Sequence, residues 1–219
     1  MLGCGERASA PDSQGRCIFG DKAATLQSPQ AMSEILLIRH GRPDCDHRTW
    51  IRGREFGTWV TCYDDAPLDK SLKPAPELLE RVSTVPCVVT SPLRRSLESA
   101  SMLAPGRPVL TEALFKEAGI PTALPLRVAL SPGAWDALAR AAWLLGMAAG
   151  DESFREARTR AAHAATRLVA LARQHGAVLL VGHGMLNSLI VRVLRGSGWT
   201  GKGNPRAYWG CVALQNATP

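Results

Sequence analysis

The sequence of 219 residues lacks a hydrophobic run long enough to cross a membrane. Its longest apolar stretch extends from Val178 to Val191 and is interrupted by His183 and Asn187. The first thirty residues also lack the uninterrupted apolar segment that a secretory signal peptide requires. Apolar residues nevertheless make up 46% of the chain and charged residues 21%, so the chain can bury a core. We therefore expect a cytoplasmic globular protein with no membrane partner.

Cysteines at metal-binding spacing are lacking as well. The six cysteines form no C-x-x-C pair and no Cys/His cluster at zinc spacing, so we expect free thiols and no zinc site. Lysine is scarce, with 5 Lys against 21 Arg at a formal net charge of +7. The arginines are scattered and form no basic stripe, which argues against a nucleic-acid partner. The positive surplus instead favours a phosphorylated small molecule.

The first 31 residues differ in composition from the rest of the chain. They contain Gly, Ser, Pro, Gln and balanced charges without periodicity, which predicts a flexible N-terminal extension over residues 1–31. Met32 leads directly into an apolar segment, so we place one folded domain at residues 32–219. The hypothesis is that Met32 is the natural start, or that the extension is dispensable.

Short apolar runs alternate with helical patterns through the domain. Strands are predicted at 34–39, 87–91, 108–110, 177–183 and 211–214. Helices are predicted at 75–83, 135–148, 154–175 and 185–194, and after Ser91 as N-cap with Pro92 at the first position. A long loop is predicted from Arg42 to Lys73. Continuous apolar strands separated by helices indicate a three-layer α/β/α sandwich with a mostly parallel central sheet.

Three predicted strands end in reactive polar residues. The residues at and just after the three strand ends are Arg39-His40-Gly41, Ser91-Pro92-Leu93-Arg94-Arg95 and His183-Gly184. In an open α/β sheet the ligand crevice lies beyond the carboxyl ends of the strands, next to helix N-termini that favour anions. Gly41, Gly182 and Gly184 predict places where the backbone approaches a ligand closely.

The strings LLIRHGRP, TSPLRRSLESA and LLVGHG, in this order, resemble the histidine phosphatase superfamily, the phosphoglycerate-mutase-like family. The resemblance extends from about Ile35 to Leu214. It implies a phosphoglycerate-mutase-like fold and a phosphomonoester hydrolase that acts through a phosphohistidine intermediate on a small phosphorylated metabolite. It implies neither a metal ion nor an organic cofactor.

Particular residues match the motifs of that family. His40 matches the nucleophile, and His183 matches the second histidine, which donates a hydrogen bond and positive charge to the phosphoryl group. Arg39 and Arg95 match the paired arginines, whose planar guanidinium groups suit phosphoryl oxygens. Family spacing favours Arg95 over Arg94. Arg94 can instead pair with Glu98, four residues further along the helix, toward solvent.

Gly41 and Gly184 follow the two catalytic histidines and are assigned to substrate binding together with Arg39 and Arg95. The proton donor of the family is a glutamate after the third strand, and two candidates occur here. Glu117 has the family's usual distance from the strand and is preferred, while Glu112 is closer to the strand end. The usual Gly-x-Trp-x-Gly continuation is replaced by AGIPTALP, which leaves the choice of donor open.

The segment after the first histidine also departs from the family. Mutases of the family have a small polar residue and then an Asn here, whereas this chain has Arg42-Pro43-Asp44 and no nearby Asn. The loop carries three aromatic residues and three cations, which we expect to cover the pocket and which suggest a second anionic group on the substrate. These are Trp50, Trp59, Tyr63, Arg52, Arg54 and Lys70.

Three other functions fit the same motifs. A phosphoglycerate-type mutase would return the phosphoryl group to a bound phosphoacid instead of water. A protein-phosphohistidine phosphatase would act on a protein, although such members are usually shorter. A phosphate-binding regulatory module would keep the pocket without turnover. The sequence predicts no particular oligomeric state, because no exposed apolar stripe can be separated from the core.

Overall fold

The computed structural model describes residues 33–147 and 152–216. The predicted flexible extension at 1–31 lies outside the described residues. The strands are β1 (Glu34–Arg39), β2 (Ile51–Arg52), β3 (Cys87–Thr90), β4 (Leu110–Thr111), β5 (Ala129–Leu130), β6 (Ala177–Gly182), β7 (Trp199–Gly203) and β8 (Cys211–Asn216). The helices are α1 (Gly53–Asp65), α2 (Pro76–Ser83), α3 (Arg94–Leu103), α4 (Pro132–Leu144), α5 (Phe154–His175) and α6 (Gly184–Gly196). No helix within the described ranges is long and apolar enough to span a bilayer.

The central sheet has six strands in the order β4-β3-β6-β1-β8-β7. The first four strands are parallel, while β8 pairs antiparallel with both β1 and β7. The predicted α/β fold with a mostly parallel sheet is therefore confirmed. The sequence pattern does not predict β7, because its segment WTGKG has no apolar run.

Strict alternation along the two central strands builds a core on each face of the sheet. Ile35 and Leu37 of β1 pack into one cluster with residues of α5 and α6. Leu36 and Ile38 pack into a second cluster with residues of α2 and α3. All four side chains have no exposed surface. The predicted three-layer arrangement follows from this division.

The N-terminus of α3 differs from its prediction. The helix begins at Arg94 with Leu93 as N-cap, whereas Ser91 accepts a hydrogen bond from the Leu93 N–H at 3.2 Å. Ser91 therefore stabilises a turn between β3 and the helix instead of capping it. This turn brings Arg95 into the first turn of α3, close to the end of β3.

The predicted loop from Arg42 to Lys73 contains the helix α1. Its sequence, GREFGTWVTCYDD, is rich in Gly, aromatic and β-branched residues, which have low helix propensity. Phe56 is fully buried and its ring stacks on that of Trp135 in α4, with centroids 6.2 Å apart. Packing against α4 thus stabilises a helix that local propensity does not predict.

Candidate active site

The sheet register places two histidines side by side. Arg39 at the end of β1 pairs with Gly182 at the end of β6. The residues that follow them, His40 and His183, therefore lie side by side at the same edge of the sheet. The N–H of His40 donates to the carbonyl of Gly182 at 2.9 Å. The rings of His40 and His183 have centroids 5.0 Å apart, and both residues are buried.

Arg95 joins this pair from α3 and is 2% exposed. Its Nε donates to Nε2 of His40 at 3.1 Å. Because a guanidinium can only donate, Nε2 of His40 must carry the free lone pair. The proton then lies on Nδ1, which donates to the Gly41 carbonyl at 2.7 Å. The backbone therefore fixes the tautomer that presents Nε2 as a nucleophile.

The electrostatic surroundings of His40 keep its ring neutral. Burial lowers the pKa of His40 most strongly. The repulsion between protons on His40 and His183 and the charges of Arg95 and Arg39 lower it further. The hydrogen bond to the Gly41 carbonyl raises the pKa but is outweighed, so the pKa lies well below its ordinary value. The lone pair of Nε2 is therefore available at neutral pH.

Two buried nitrogens at this point have no hydrogen-bond partner among the described residues. They are Nε of Arg39 and Nδ1 of His183. Nε2 of His183 lies 3.2 Å from the hydroxyl of Ser96. If that hydroxyl donates, Nδ1 of His183 carries a proton. Buried donors without partners are costly, and a bound anion would satisfy them.

His183 is also neutral in the unliganded pocket. Burial lowers its pKa most, and the charges of Arg95 and Arg39 add to the effect. The positive charge that the family resemblance implies for His183 would therefore require the arrival of a phosphoryl dianion, which favours the protonated ring.

Two tyrosines cover the two arginines. The guanidinium of Arg39 lies 4.0 Å from the centre of the Tyr208 ring, and that of Arg95 lies 4.9 Å from the Tyr63 ring. The hydroxyls of Tyr63 and Tyr208 are 3.3 Å apart. Asp64, the neighbour of Tyr63 in α1, binds Nη1 of Arg95 at 2.7 Å. Tyr208 and Asp64 belong to no recognised motif, so the sequence alone does not point to either residue.

Different contacts explain why glycine occurs at the three positions of the site. A Cβ on Gly41 would lie 2.3 Å from the indole of Trp209, and the Gly41 N–H already donates to Ser99 at 2.9 Å. A Cβ on Gly182 would lie 2.7 Å from Oδ1 of Asn187. Packing therefore explains both residues, whereas the sequence pattern predicts close approach to a ligand. Gly184 does line the cavity.

The two candidate glutamates lie in different surroundings. Glu117 lines the cavity, and its carboxylate accepts the N–H groups of Met185 at 3.2 Å and Leu186 at 3.0 Å, in the first turn of α6. Glu112 pairs with Arg167 of α5 at 2.8 Å and is not among the residues that line the cavity. The geometry therefore favours Glu117 as the carboxyl group beside the histidines.

The pKa of Glu117 lies below its ordinary value. Burial raises the pKa, but the charge of Arg140 and three backbone N–H groups outweigh that effect. Glu117 is thus the ionised carboxylate of the unliganded site.

These groups share a cavity of about 940 Å³. Trp59 and Tyr63 of α1 form one wall, and α4 contributes Asp136, Ala137 and Arg140. Of the six loop residues predicted to cover the pocket, only Trp59 and Tyr63 line this cavity. Arg94 pairs with Glu98 at 2.7 Å on the surface, as its spacing predicted.

The comparison with protein families agrees with this geometry. Residues 35–204, more than three quarters of the chain, match the model of the histidine phosphatase superfamily (branch 1). The chain belongs to this superfamily. The match ends before Tyr208, so the tyrosine over Arg39 lies outside the part that this histidine phosphatase shares with the family model.

Solved structures of other phosphatases share the fold of this histidine phosphatase. The mycobacterial glucosyl-3-phosphoglycerate phosphatase is 23% identical, with a TM-score of 0.51 over 74% of this chain and 79% of that one. A mutant phosphoserine phosphatase from Entamoeba histolytica, in complex with phosphoserine, is 16% identical, with a TM-score of 0.51 over 84% of this chain and 96% of that one. A search of curated proteins finds no significant match.

Proposed function

We propose that the protein is a phosphomonoester hydrolase that forms a phosphohistidine at His40, without a metal ion, on a small phosphorylated substrate. One observation carries the proposal: Nε2 of His40, with its free lone pair, lies within 3.1 Å of Nε of Arg95, beside the unpaired buried nitrogens of Arg39 and His183. A tetrahedral anion supplies the acceptors that these donors lack. The family match and the two phosphatases of the same fold support this reading. A cytoplasmic location stays a prediction.

In the first step Nε2 of His40 attacks phosphorus as the bond from phosphorus to the ester oxygen breaks. Arg95 transfers its hydrogen bond from Nε2 to a phosphoryl oxygen, and Arg39 and His183 bind the remaining charge. The ester oxygen leaves as an alcohol, with a proton from Glu117. This step produces the alcohol and a phosphohistidine.

In the second step the Glu117 carboxylate takes a proton from water as the water oxygen attacks phosphorus. The bond between phosphorus and Nε2 breaks, which releases inorganic phosphate and restores neutral His40. The low pKa of Glu117 suits this basic role. In the first step the approaching phosphoryl charge raises that pKa and favours the protonated donor.

The deciding experiment is the trapping of the intermediate. Labelled phosphomonoester should leave label on the protein after a rapid acid-free quench, in the presence of EDTA, with the acid lability of a phosphohistidine. His40→Asn should lose the label and more than 10³-fold in kcat. His163→Asn, on the exposed surface of α5, is the matched control and should retain both. Label retained by His40→Asn would refute the assignment.

The same assay separates the alternatives. A mutase would transfer the label to 3-phosphoglycerate instead of releasing inorganic phosphate, and a regulatory module would bind phosphate without releasing an alcohol. Label transferred from a phosphohistidine protein but from no small phosphomonoester would identify a protein phosphatase. We expect release of inorganic phosphate from small substrates.

A further inference from the structure

We propose that Arg140 of α4 and Arg160 of α5 are positioning residues that hold Glu117 against the leaving-group oxygen. The proposal rests on the proposed function, because it takes Glu117 as the proton donor. It concerns the segment where this chain replaces the family's Gly-x-Trp-x-Gly pattern with AGIPTALP. From Glu117 to Val128 the described backbone has no helix or strand, so other groups must satisfy its carbonyls.

Arg160 binds the backbone before and at the glutamate. Its Nη1 donates to the carbonyls of Leu114 at 3.0 Å and Lys116 at 2.6 Å, and its Nη2 donates to the Glu117 carbonyl at 3.3 Å. The carboxylate of Glu152 holds the guanidinium with two bonds of 2.6 and 2.7 Å. The guanidinium is thus fixed by a bidentate pair and reaches three carbonyls.

Arg140 binds the backbone after the glutamate. Its Nη1 donates to the carbonyls of Ala118 and Gly119, both at 3.0 Å. Its guanidinium also lies 5.4 Å from the centre of the Trp143 ring, whose Nε1 donates to the Glu152 carbonyl at 3.0 Å. The two arginines together therefore make five hydrogen bonds to carbonyls within residues 114–119.

The carboxylate of Glu117 has a separate attachment. It accepts N–H groups of Ala118, Met185 and Leu186 at 2.8 to 3.2 Å, and the last two belong to the helix that begins after His183. The arginines thus fix the backbone of Glu117 while α6 fixes its carboxylate. Loss of either arginine would free the segment and displace the donor, and small displacements of a catalytic group cost rate steeply.

A displaced proton donor has a distinctive kinetic effect. An alkoxide leaving group needs the proton, whereas p-nitrophenolate leaves readily without one. A general loss of folding or phosphate binding would slow both reactions equally. The ratio of kcat/KM for an alkyl phosphate to that for p-nitrophenyl phosphate therefore measures proton donation separately from folding and phosphate binding.

The experiment compares Arg140→Met, Arg160→Met and Glu117→Gln with the wild type on both substrates. We expect Glu117→Gln to lower this ratio about 100-fold and each arginine variant to lower it about 10-fold. Arg140→Lys, which keeps the charge and a donor, should recover part of the ratio. Arg158→Met, an exposed neighbour on α5, should leave it unchanged.

Equal losses on both substrates in the two arginine variants would overturn the proposal. If Arg160→Met does not fold, Arg140→Met decides alone. The ion pair that Arg140→Met removes is weak, because the carboxylate of Asp136 is 3.9 Å away and half exposed. An unchanged ratio in Glu117→Gln would instead refute the donor assignment. Loss of the trapped phosphohistidine in His40→Asn tests the nucleophile independently of both results.

Discussion

Nη1 of Arg95 lies 2.7 Å from Oδ1 of Asp64, so a guanidinium assigned to the phosphate is already paired with a carboxylate. The side chain of Arg95 is 3% exposed and that of Asp64 is 42% exposed. The pair thus joins a buried residue of α3 to an accessible residue of α1. A phosphoryl dianion that enters the cavity must approach this carboxylate or displace it, and like charges at short range repel.

The first prediction concerns this carboxylate. Asp64→Asn should bind inorganic phosphate and vanadate about fivefold more tightly, because removal of an accessible charge of this kind is worth about 1 kcal/mol. The measurement is the inhibition constant of each anion against p-nitrophenyl phosphate. Asp65→Asn, the exposed neighbour, is the matched control and should change little. Weaker anion binding in Asp64→Asn would show that Asp64 orients Arg95 instead of competing with substrate.

The second prediction concerns Gly41. In Gly41→Ala the new Cβ would lie 2.3 Å from Cζ2 of Trp209, which cannot move away freely because its Nε1 donates to the Leu72 carbonyl at 2.9 Å. We expect a loss of about 2 kcal/mol in the free energy of unfolding, as for other overpacked sites, measured by urea denaturation.

Gly196→Ala provides the comparison for this substitution. No atom lies within 4 Å of a Cβ at that position, so stability should stay within about 0.5 kcal/mol of the wild type. Equal stability of Gly41→Ala and Gly196→Ala would mean that the indole of Trp209 yields easily, and would return Gly41 to the role expected from sequence.

The sequence predicts the centre of the site because the fold brings strand ends together. His40 and His183 directly follow β1 and β6, and Arg95 lies in the first turn of the helix after β3, so the parallel register determines their meeting. Apolar runs of strand length suffice to locate these ends. The positions of Arg39, His40, Arg95 and His183 therefore agree with the family motifs.

The surroundings of that centre depend on contacts that sequence patterns do not reveal. Helix α1 forms by packing against α4 despite low propensity, and its Asp64 meets Arg95 from 31 positions earlier in the chain. Tyr208 reaches Arg39 from the connection between β7 and β8, which leaves no periodic signal. Arg140 acts through backbone carbonyls, which every residue type offers alike.

The third prediction concerns the ring of Tyr208. Tyr208→Leu removes the aromatic face that lies 4.0 Å from the Arg39 guanidinium, so KM should rise about two- to twelvefold, as expected for loss of about 0.5 to 1.5 kcal/mol. Tyr208→Phe keeps the ring and loses only the hydroxyl beside Tyr63, so its KM should rise less. Equal effects of both variants would assign the role to the hydroxyl pair. Steady-state kinetics with p-nitrophenyl phosphate supplies both values.

The last prediction concerns the two buried histidines and pH. Burial and the neighbouring cations lower the pKa values of His40 and His183 well below 6.5 in the folded state. In the unfolded chain both rings return to a pKa near 6.5, so below that pH the unfolded state binds more protons. Stability should therefore fall as pH decreases from 7 toward 5, by up to about 1.4 kcal/mol per pH unit for each histidine.

Urea denaturation of the wild type and of His183→Asn at pH 7, 6 and 5 measures this dependence. The variant retains His40 and the partly buried His47, whose pKa burial also lowers, so the decrease between pH 7 and pH 5 should become less steep without disappearing. His175→Asn, an exposed residue at the end of α5, should keep the wild-type slope. If His183→Asn also kept that slope, His183 would be protonated alike in both states, and the neutral ring assigned to the unliganded pocket would be wrong.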